Sequence, residues 1–560
     1  MKLSKTILSG LLLSSFFFEN GFSQCDNSAI SYIAANNIKA AVLNGGDLFW
    51  DRNNGQFIVP YSLGVSPITK TIFANGLWMG GFDQNGTLKI AMQMYGNSNG
   101  RRDYWAGPID NNSGDPLENG CTNFDRIWKV YRNEILQVKE DFDDNGMIDS
   151  PLPVSIQKWP AKGNPFFEQL MGYPLPDQDL APFYDNNNDG LFNPMNGDRP
   201  VIDQTLPDVV PNEMAWCVFN DIQGTHGESN GLPIGVEVQL LVYAFNCSEN
   251  SLLNYTIFTR HKVINKSQFE MNEFRIGFFN DMDLGCFIDD YIGCDTTLNT
   301  HYFYNKDNND GEPQCGGIDT FGLNPPVQAV TFLNHFLSNF SYNNSDVAGS
   351  YAFFGEWANG ARITYGGTGY NPNSTDFVNH VFPDNPNDPD GWSMMTEADL
   401  FPIVDRRSIG TAGPFVFPKN GQIVLDVAYS YHREPGADHL ENVNVALASI
   451  PNLQNFYDNK FLGGCTQVVD LKEKLNHALQ LNISPNPNNG TFNLIFDKTI
   501  AASQISIFDF NGKNIFTKKI PAHTEQLNIG LKNQLPTGVY FIKWVLEDGQ
   551  LVTEKVVVSF

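Results

Sequence analysis

From Gly45 onward the chain is cut so often by Gly, Asn and Asp that its apolar stretches stay short. Gly45-Gly46-Asp47-Leu48-Phe49-Trp50-Asp51 is followed by Ile72-Phe73-Ala74-Asn75-Gly76-Leu77-Trp78-Met79-Gly80-Gly81 and by Asp103-Tyr104-Trp105-Ala106-Gly107-Pro108. Short β-prone runs between such residues form antiparallel sheets, because Gly, Asn and Asp supply tight reversals at little steric cost. Longer β-branched and aromatic runs occupy 213–219, 236–245, 253–263 and 273–279, and strand texture returns over 401–432, notably at 422–431. These runs predict a mostly β body, an antiparallel β-sandwich of jelly-roll-like character. Apolar positions three and four apart over 440–456, among them Val443, Ala446 and Leu447, predict one helix. Residues 25–45 mix helical and strand signals and predict neither.

Residues 485–560 read differently. After Pro485-Asn486-Pro487-Asn488-Asn489-Gly490 come strand-like runs at 491–496, 504–508, 514–520, 525–529, 538–546 and 551–558. Phe492, Leu494 and Phe496 fall on one face with Asn493 on the other, the period of a half-buried strand. Asn511-Gly512 and Asp548-Gly549 suit type I′ hairpin turns. The expectation is a small C-terminal Ig-like β-sandwich. It carries seven lysines against six carboxylates, whereas the whole chain has a net charge of −27, so the acidity lies elsewhere and a boundary falls before it.

The motifs here are Pro485-Asn486-Pro487 with Asn489-Gly490, Ile507-Phe508-Asp509-Phe510-Asn511-Gly512-Lys513, Leu535-Pro536-Thr537-Gly538-Val539-Tyr540-Phe541, and Glu554-Lys555-Val556-Val557-Val558. In this order they closely resemble the type A C-terminal sorting domain of type IX secretion cargo from Bacteroidetes-type bacteria. The resemblance implies that 485–560 engages the type IX machinery and its surface sortase, crosses the outer membrane, and is often removed as the cargo is anchored or released. The body resembles a class of large secreted proteins from the same bacterial groups, through Gly45–Asp51, Leu77-Trp78-Met79-Gly80-Gly81, Asp289-Asp290-Tyr291-Ile292-Gly293-Cys294-Asp295, and Arg406 with Gly413-Pro414-Phe415. No activity carries over from that class to these residues.

At the other end, Lys2 and Lys5 precede the apolar run 7–18, and Gly21-Phe22-Ser23 offers the small residues a signal peptidase reads. The expected division is a signal peptide at 1–23, an aromatic and Gly-rich β region with Asp/Asn loops at 24–200, a β-sandwich region at 201–465, a linker at 466–484 with a short helical or stiff stretch near 468–481, and the sorting domain at 485–560. Removal of 1–23 takes two lysines and one glutamate and leaves −28. Such acidity repels nucleic acid and anionic lipid and favours cations. No later run is long and apolar enough to span a membrane. The destination is extracellular or the outer-membrane surface, after periplasmic transit.

That compartment permits disulfides among the eight cysteines. None has CxxC spacing, which disfavours zinc and thioredoxin-like chemistry; Cys286 and Cys294 could close a short loop, one of many possible pairings.

Calcium is the expected cofactor, in a structural role. Asp185, Asn187 and Asp189 occupy positions 1, 3 and 5 of a loop with Gly190 at 6 and Asn193 at 9, and Asp198 is placed to substitute for the missing acidic residue at 12. Asp141, Asp143, Asn145 and Asp149 repeat the pattern around Gly146. Alternate residues of such a loop point inward, and glycine permits the turn that brings the next carbonyl to the ion. A further cation is expected near Asp281, Asp283, Asp289 and Asp290, where like charges crowd one short segment. Against all three stands the reading that Asn, Asp and Gly simply make good solvated turns. The Asp307-Asn308-Asn309-Asp310-Gly311-Glu312 segment has the wrong spacing and reads as a turn.

No HExxH, G-x-S-x-G or phosphate-binding Gly-rich loop occurs, and His432 and His439, divided by Pro435-Gly436, read as surface histidines. Most tryptophans are expected in sandwich cores, although an exposed one would stack on a sugar. The reading that results is a secreted or cell-surface cargo, non-catalytic and calcium-stabilised, that binds glycan or protein or builds part of a surface layer. The alternative is a secreted polysaccharide-degrading hydrolase, which needs only two carboxylates ~5–10 Å apart.

Overall fold

In a computed structural model the chain divides into two compact units, Met1–Thr466 and Gln467–Phe560. The structure describes residues 27–62, 68–96, 101–247, 251–343, 356–357, 359–461, 481–496, 503–509, 513–521, 524, 526–531, 535–546 and 551–559. The signal peptide at 1–23, Cys25 and Cys465, most of the linker and its helical stretch, and the Asn511-Gly512 and Asp548-Gly549 turns lie outside these residues.

Ten strands organise the first unit: β1 (Ala74–Phe82), β2 (Glu213–Asn220), β3 (Val236–Ala244), β4 (Thr256–Asn265), β5 (Met271–Asp281), β6 (Asp290–Asp295), β7 (Thr300–Asn305), β8 (Val327–Phe332), β9 (Arg407–Phe417) and β10 (Gln422–His432). Every ladder is antiparallel. A ten-stranded sheet runs Asn339–Asn343, β9, β5, β1, then short strands between Lys39 and Ile72. A nine-stranded sheet runs β6, β7, β8, β10, β4, β3, β2, then Trp105–Ala106. Both sheets therefore draw strands from either side of residue 200. The fold is the antiparallel sandwich that the strand pattern predicts.

The two sheets enclose one core. Leu77 and Met79 on β1 and Phe274, Ile276 and Phe278 on β5 meet Leu240, Val242, Ile257, Leu425 and Val427 of the other sheet. Burying each such side chain contributes roughly 1.5–3 kcal/mol. The opposite face of the nine-stranded sheet is also covered. Trp216, Leu241, Tyr243 and Phe258 pack under Trp128, Trp159, Phe167 and Phe192 of the 120–210 region and under Leu453 and Phe456. With both faces covered, all nine residues of β3 are buried, its apolar half at 240–244 as well as Glu237 and Gln239.

Helix α1 (Arg132–Asn145) extends into the 141–149 segment expected as a loop, and helix α2 (His439–Asp458) matches the predicted 440–456. Asp438 caps α2 by accepting from the backbone N–H of Leu440 and Glu441 at 2.9 and 2.8 Å, and Glu441 completes a capping box. The predicted strand at 253–263 begins two residues later than Asn254, after the short helix Ser251–Asn254. His432 is buried at the end of β10, not on the surface: its Nε2 shares a 2.8 Å hydrogen bond with Ser430 Oγ, and burial lowers its pKa to about 4. Eight of the nine tryptophans are buried and Trp357 is half-buried.

Cys286 pairs with Cys315, and Cys294 is a free buried thiol, so the short Cys286–Cys294 loop does not form. Cys294 lies on β6, paired to His301, while Cys286 stands in the preceding connection.

In the second unit, Leu481–Ser484, Thr491–Phe496 and Gln526–Gly530 form one antiparallel sheet and Asn514–Ile520, Ser503–Asp509, Gly538–Leu546 and Leu551–Val558 another. Phe492, Leu494, Ile505, Ile507, Ile542, Trp544 and Val556 fill the core between them. The strand Leu481–Ser484 is the one the sequence pattern missed.

Candidate metal centre and adjoining pocket

The strand β5 delivers Asp281 to the edge of the sandwich, where it is the direct register partner of Arg407 on β9 and of Ala74 on β1. Asp281 Oδ2 accepts a 2.9 Å hydrogen bond from Tyr95 Oη, and Arg407 Nε lies 3.3 Å from Asp281 Oδ1 while donating to Tyr95 Oη at 2.8 Å. Arg407 Nη2 also donates to Asp405 Oδ2 at 2.5 Å. Two residues beyond Asp281, Asp283 Oδ2 is 3.7 Å from Lys70 Nζ. One oxygen each from Asp281, Asp283 and Asp405 lies within 4.8 Å of the others.

Asp281, Asp283, Asp405 and Arg407 line a pocket of about 270 Å³ with Phe73, Tyr95 and Phe287. Three carboxylates face two cations, and burial is the main effect on both Asp281 and Asp283. It raises the pKa of each, with mutual repulsion adding to the rise at Asp281 and Lys70 opposing it at Asp283. Such a cluster either keeps a proton or takes a further cation.

The next turn carries a second group. Gly285, at φ 71°, bends the chain into Cys286, whose disulfide to Cys315 ties the 286 and 315 segments together. Asp310 Oδ1 accepts from Cys286 N at 2.8 Å, and its Oδ2 accepts from Phe321 N. Asp290 Oδ2 accepts from Leu284 N at 3.0 Å. Asp289 Oδ2 accepts from Gly311 N at 3.4 Å. Oδ1 of Asp289 and Oδ1 of Asp290 are buried and accept no hydrogen bond among the described residues.

Oxygens of Asp289 and Asp310 approach within 4.8 Å of each other; the nearby Cys286 sulfur is consumed by its disulfide and offers no thiolate. Burial raises Asp310 to about 6 and Asp290 well above the carboxylate range, the latter helped by Asp289. The guanidinium of Arg406 donates at 2.8 Å to the backbone carbonyl of Asp290, not to its carboxylate.

The structure thus brings Asp281, Asp283, Asp289 and Asp290 into two neighbouring sets and adds Asp405 and Asp310. Asp310 belongs to the 307–312 segment read as a plain turn; it does turn there, and its carboxylate points inward because Asn309–Asp310 pairs with Gly322–Leu323. Asp405 could have been found through Asp405-Arg406-Arg407, a charged triplet entering a strand.

In the 185–198 loop, Asp185 accepts from Asp189 N at 3.2 Å and Gly190 N at 2.7 Å, Asn187 Nδ2 donates to Asp189 Oδ2 at 2.7 Å, and Gly190 takes φ 78°. Asp198 is fully buried and accepts from Asn186 N and Asn193 N at 2.8 and 2.7 Å. Burial raises its pKa, and Asp185 and Asp189 add to the rise; the three carboxylates do not come within 4.8 Å of one another as those of Asp281, Asp283 and Asp405 do. Asn193 instead turns its side chain to Met195 N as a helix cap.

The 141–149 segment departs from the expected loop. Asp141, Asp143 and Asn145 lie in the last turns of α1, which Gly146 ends at φ 78°. On a helix, residues two apart point to different sides, so Asp143 pairs with Lys139 at 2.5 Å while Asp141 accepts from Ser150 N at 3.1 Å and Asn145 donates to Asp149 at 3.2 Å.

Residues 482–559 match the family of secretion system C-terminal sorting domains. The second unit is a type IX secretion sorting domain. The protein is a cargo of that route, secreted or held at the cell surface. No helix of the described residues is long and apolar enough to cross a membrane. No curated protein matches the cargo. Among solved structures, a polysaccharide lyase overlaps at 8% identity and a TM-score of 0.15, over 57% of this chain and 34% of its own. PorZ, a surface component of the type IX secretion system of Porphyromonas gingivalis, overlaps at 10% and 0.13, over 67% and 47%. A biofilm-associated protein BSP domain does so at 10% and 0.13, over 86% and 81%. The cargo spans about a third of the lyase and about half of PorZ, and at these scores the overlaps bear on neither fold nor function.

Proposed function

We propose that this secreted cargo is a non-catalytic binding or surface-layer protein whose sandwich is stiffened by calcium. The observation that supports the reading is Oδ1 of Asp290, buried without a hydrogen bond among the described residues where Asp289 and Asp310 also turn inward. A buried carboxylate oxygen with no donor is costly unless a proton or a cation meets it. Calcium accepts carboxylate and carbonyl oxygens in flexible geometry, and weak extracellular sites of roughly 10⁻⁴–10⁻³ M are a known class. The 185–198 loop, with its Gly190 turn and the buried Asp198, is a second candidate. The ligand of the body is a glycan or a protein.

The test is thermal unfolding of the full secreted chain in calcium and in chelator, with bound metal counted after gel filtration. A rise of several degrees in calcium that disappears in Asp290→Asn/Asp310→Asn supports the reading. No bound calcium and no shift would remove it.

One observation favours a hydrolase instead: Asp281 and Asp283 both line the 270 Å³ pocket with raised pKa values, so one of them could hold the proton a general acid gives. Their ties to Arg407, Lys70 and Tyr95 favour a structural role. Release of reducing ends from a polysaccharide panel, lost in Asp283→Asn, would establish the hydrolase.

A further inference from the structure

A cleft of about 290 Å³ opens on the outer face of the nine-stranded sheet, and it shares no residue with the carboxylate sites. Its floor follows from strand register. Trp216 on β2 pairs with Leu241 on β3, Leu241 with Arg260 on β4, and Arg260 with Asp426 on β10. The next row on the same face, two residues along each strand, is Gln239, Lys262 and Val424, and Gln422 follows. Trp216 and Leu241 of the first row pack under the 120–210 layer. Residues 179–183 and 202–205 form the lips.

The charged lining of the cleft balances in number, Asp179 and Asp203 against Arg260 and Lys262, but not in pairing. Arg260 is committed, with Nη1 2.9 Å from Asp203 Oδ2 and Nε 3.0 Å from Asp426 Oδ1. Glu237 lies 3.8 Å from Lys266 and accepts from Gln239 Nε2 at 2.8 Å. Lys262 has no hydrogen-bond or ion-pair partner among the described residues; Asp179 and Glu237 act on it only at longer range. A half-buried ammonium without an acceptor among the described residues is a place where a single small anion can gain a charged hydrogen bond, against the field of the acidic chain.

Around it stand amides and a hydroxyl, Gln204, Gln239, Gln422 and Thr205, with apolar Phe183 and Leu241 beside them. Neutral donors and acceptors over an apolar patch suit a ring rich in hydroxyls. The volume is at the small end of the ~300–1,000 Å³ range of ligand sites. The field of the whole chain opposes a densely charged polymer.

We infer that this cleft binds a single sugar carrying one carboxylate, a uronic acid residue, with Lys262 taking the carboxylate and Gln204 and Gln422 the hydroxyls, while Gln239 and Thr205 are held by Asp179, Glu237 and Asp203.

The test uses the full chain and saturation-transfer NMR with D-glucuronate and D-galacturonate against D-glucose and D-galactose, in constant calcium so that the metal reading is not in play. At least one uronate should bind roughly tenfold more tightly than its neutral counterpart, as expected when a charged hydrogen bond is gained. Lys262→Gln should abolish that preference and Lys262→Arg retain it, each variant melting within about 2 °C of the parent. Equal binding of charged and neutral sugars, unchanged preference in Lys262→Gln, or no binding of either uronate would overturn the assignment. If Lys262→Gln unfolds, the Lys262→Arg variant and the comparison of sugars on the parent still decide it.

Discussion

Asp281 and Arg407 stand directly opposite each other on paired strands, with Oδ1 and Nε 3.3 Å apart, although 126 positions separate them in the chain. Arg407 also holds Asp405 and Tyr95, so one guanidinium organises the pocket. Arg407→Met leaves buried carboxylates without their cation and should cost about 3–5 kcal/mol in chemical denaturation. Arg407→Lys should recover only part of that, since a single ammonium cannot serve three acceptors in a planar fork. A loss below about 1 kcal/mol for the Met variant would show that the carboxylates are protonated and the pair is idle.

Gly76 on β1 has no room for a side chain. A Cβ there would meet the carbonyl oxygen of Gln93 at 1.8 Å, and that carbonyl already accepts from Trp78 Nε1 at 3.0 Å. Gly76→Ala should therefore destabilise the body by about 3 kcal/mol or more, at the upper end of overpacking effects. Normal melting of the variant would refute this.

The Cys286–Cys315 disulfide closes a loop of sequence separation 29 that carries Asp289, Asp290 and Asp310. Replacing both cysteines by serine should cost about 3 kcal/mol and weaken calcium binding together with it. Cys217 and Cys294 are buried, and burial raises both thiols, so neither should react with a thiol reagent until the chain unfolds.

Two buried groups set opposite limbs of the pH profile. His301 has neither ring nitrogen hydrogen-bonded among the described residues, and burial lowers its pKa to about 3. An unfolded histidine takes its proton near 6.5, so stability falls as pH drops from about 6.5 toward 3, by up to about 1.4 kcal/mol per unit. His301→Leu should flatten that limb. Glu228 is raised to about 7 by burial, chiefly, with Asp103 adding. Its stabilisation is complete below the unfolded value near 4.3 and lost as pH rises through about 7, so Glu228→Gln should restore on the order of 2–3 kcal/mol at pH 8. Denaturant melts from pH 4 to 8 would show both slopes.

Much of the scaffold was legible because strands announce themselves locally. β2, β3, β5 and β10 each appear where β-branched and aromatic residues run between turn clusters, and α2 appears through its apolar spacing. The 132–145 helix was obscured because Asp141-Phe142-Asp143-Asp144-Asn145-Gly146 has turn composition, whereas the packing of Ile135 and Val138 into the core, with the Lys139–Asp143 pair, supports the helix. The acidic segment 281–290 was legible as a charge problem. Its solution was not, since Arg407, Asp405, Lys70 and Asp310 arrive from strands and turns distant in sequence.

What the sequence by itself determined is the export route and the antiparallel β class, because sorting motifs are contiguous and strand periodicity is a property of neighbouring residues. Only the tertiary structure decided that Cys286 meets Cys315, that Asp310 turns inward, that Arg407 answers Asp281, and that Lys262 is left without an acceptor among the described residues. Each of these depends on strand register between segments far apart in the chain, and register is set by how two sheets bury their faces together, which no local pattern encodes.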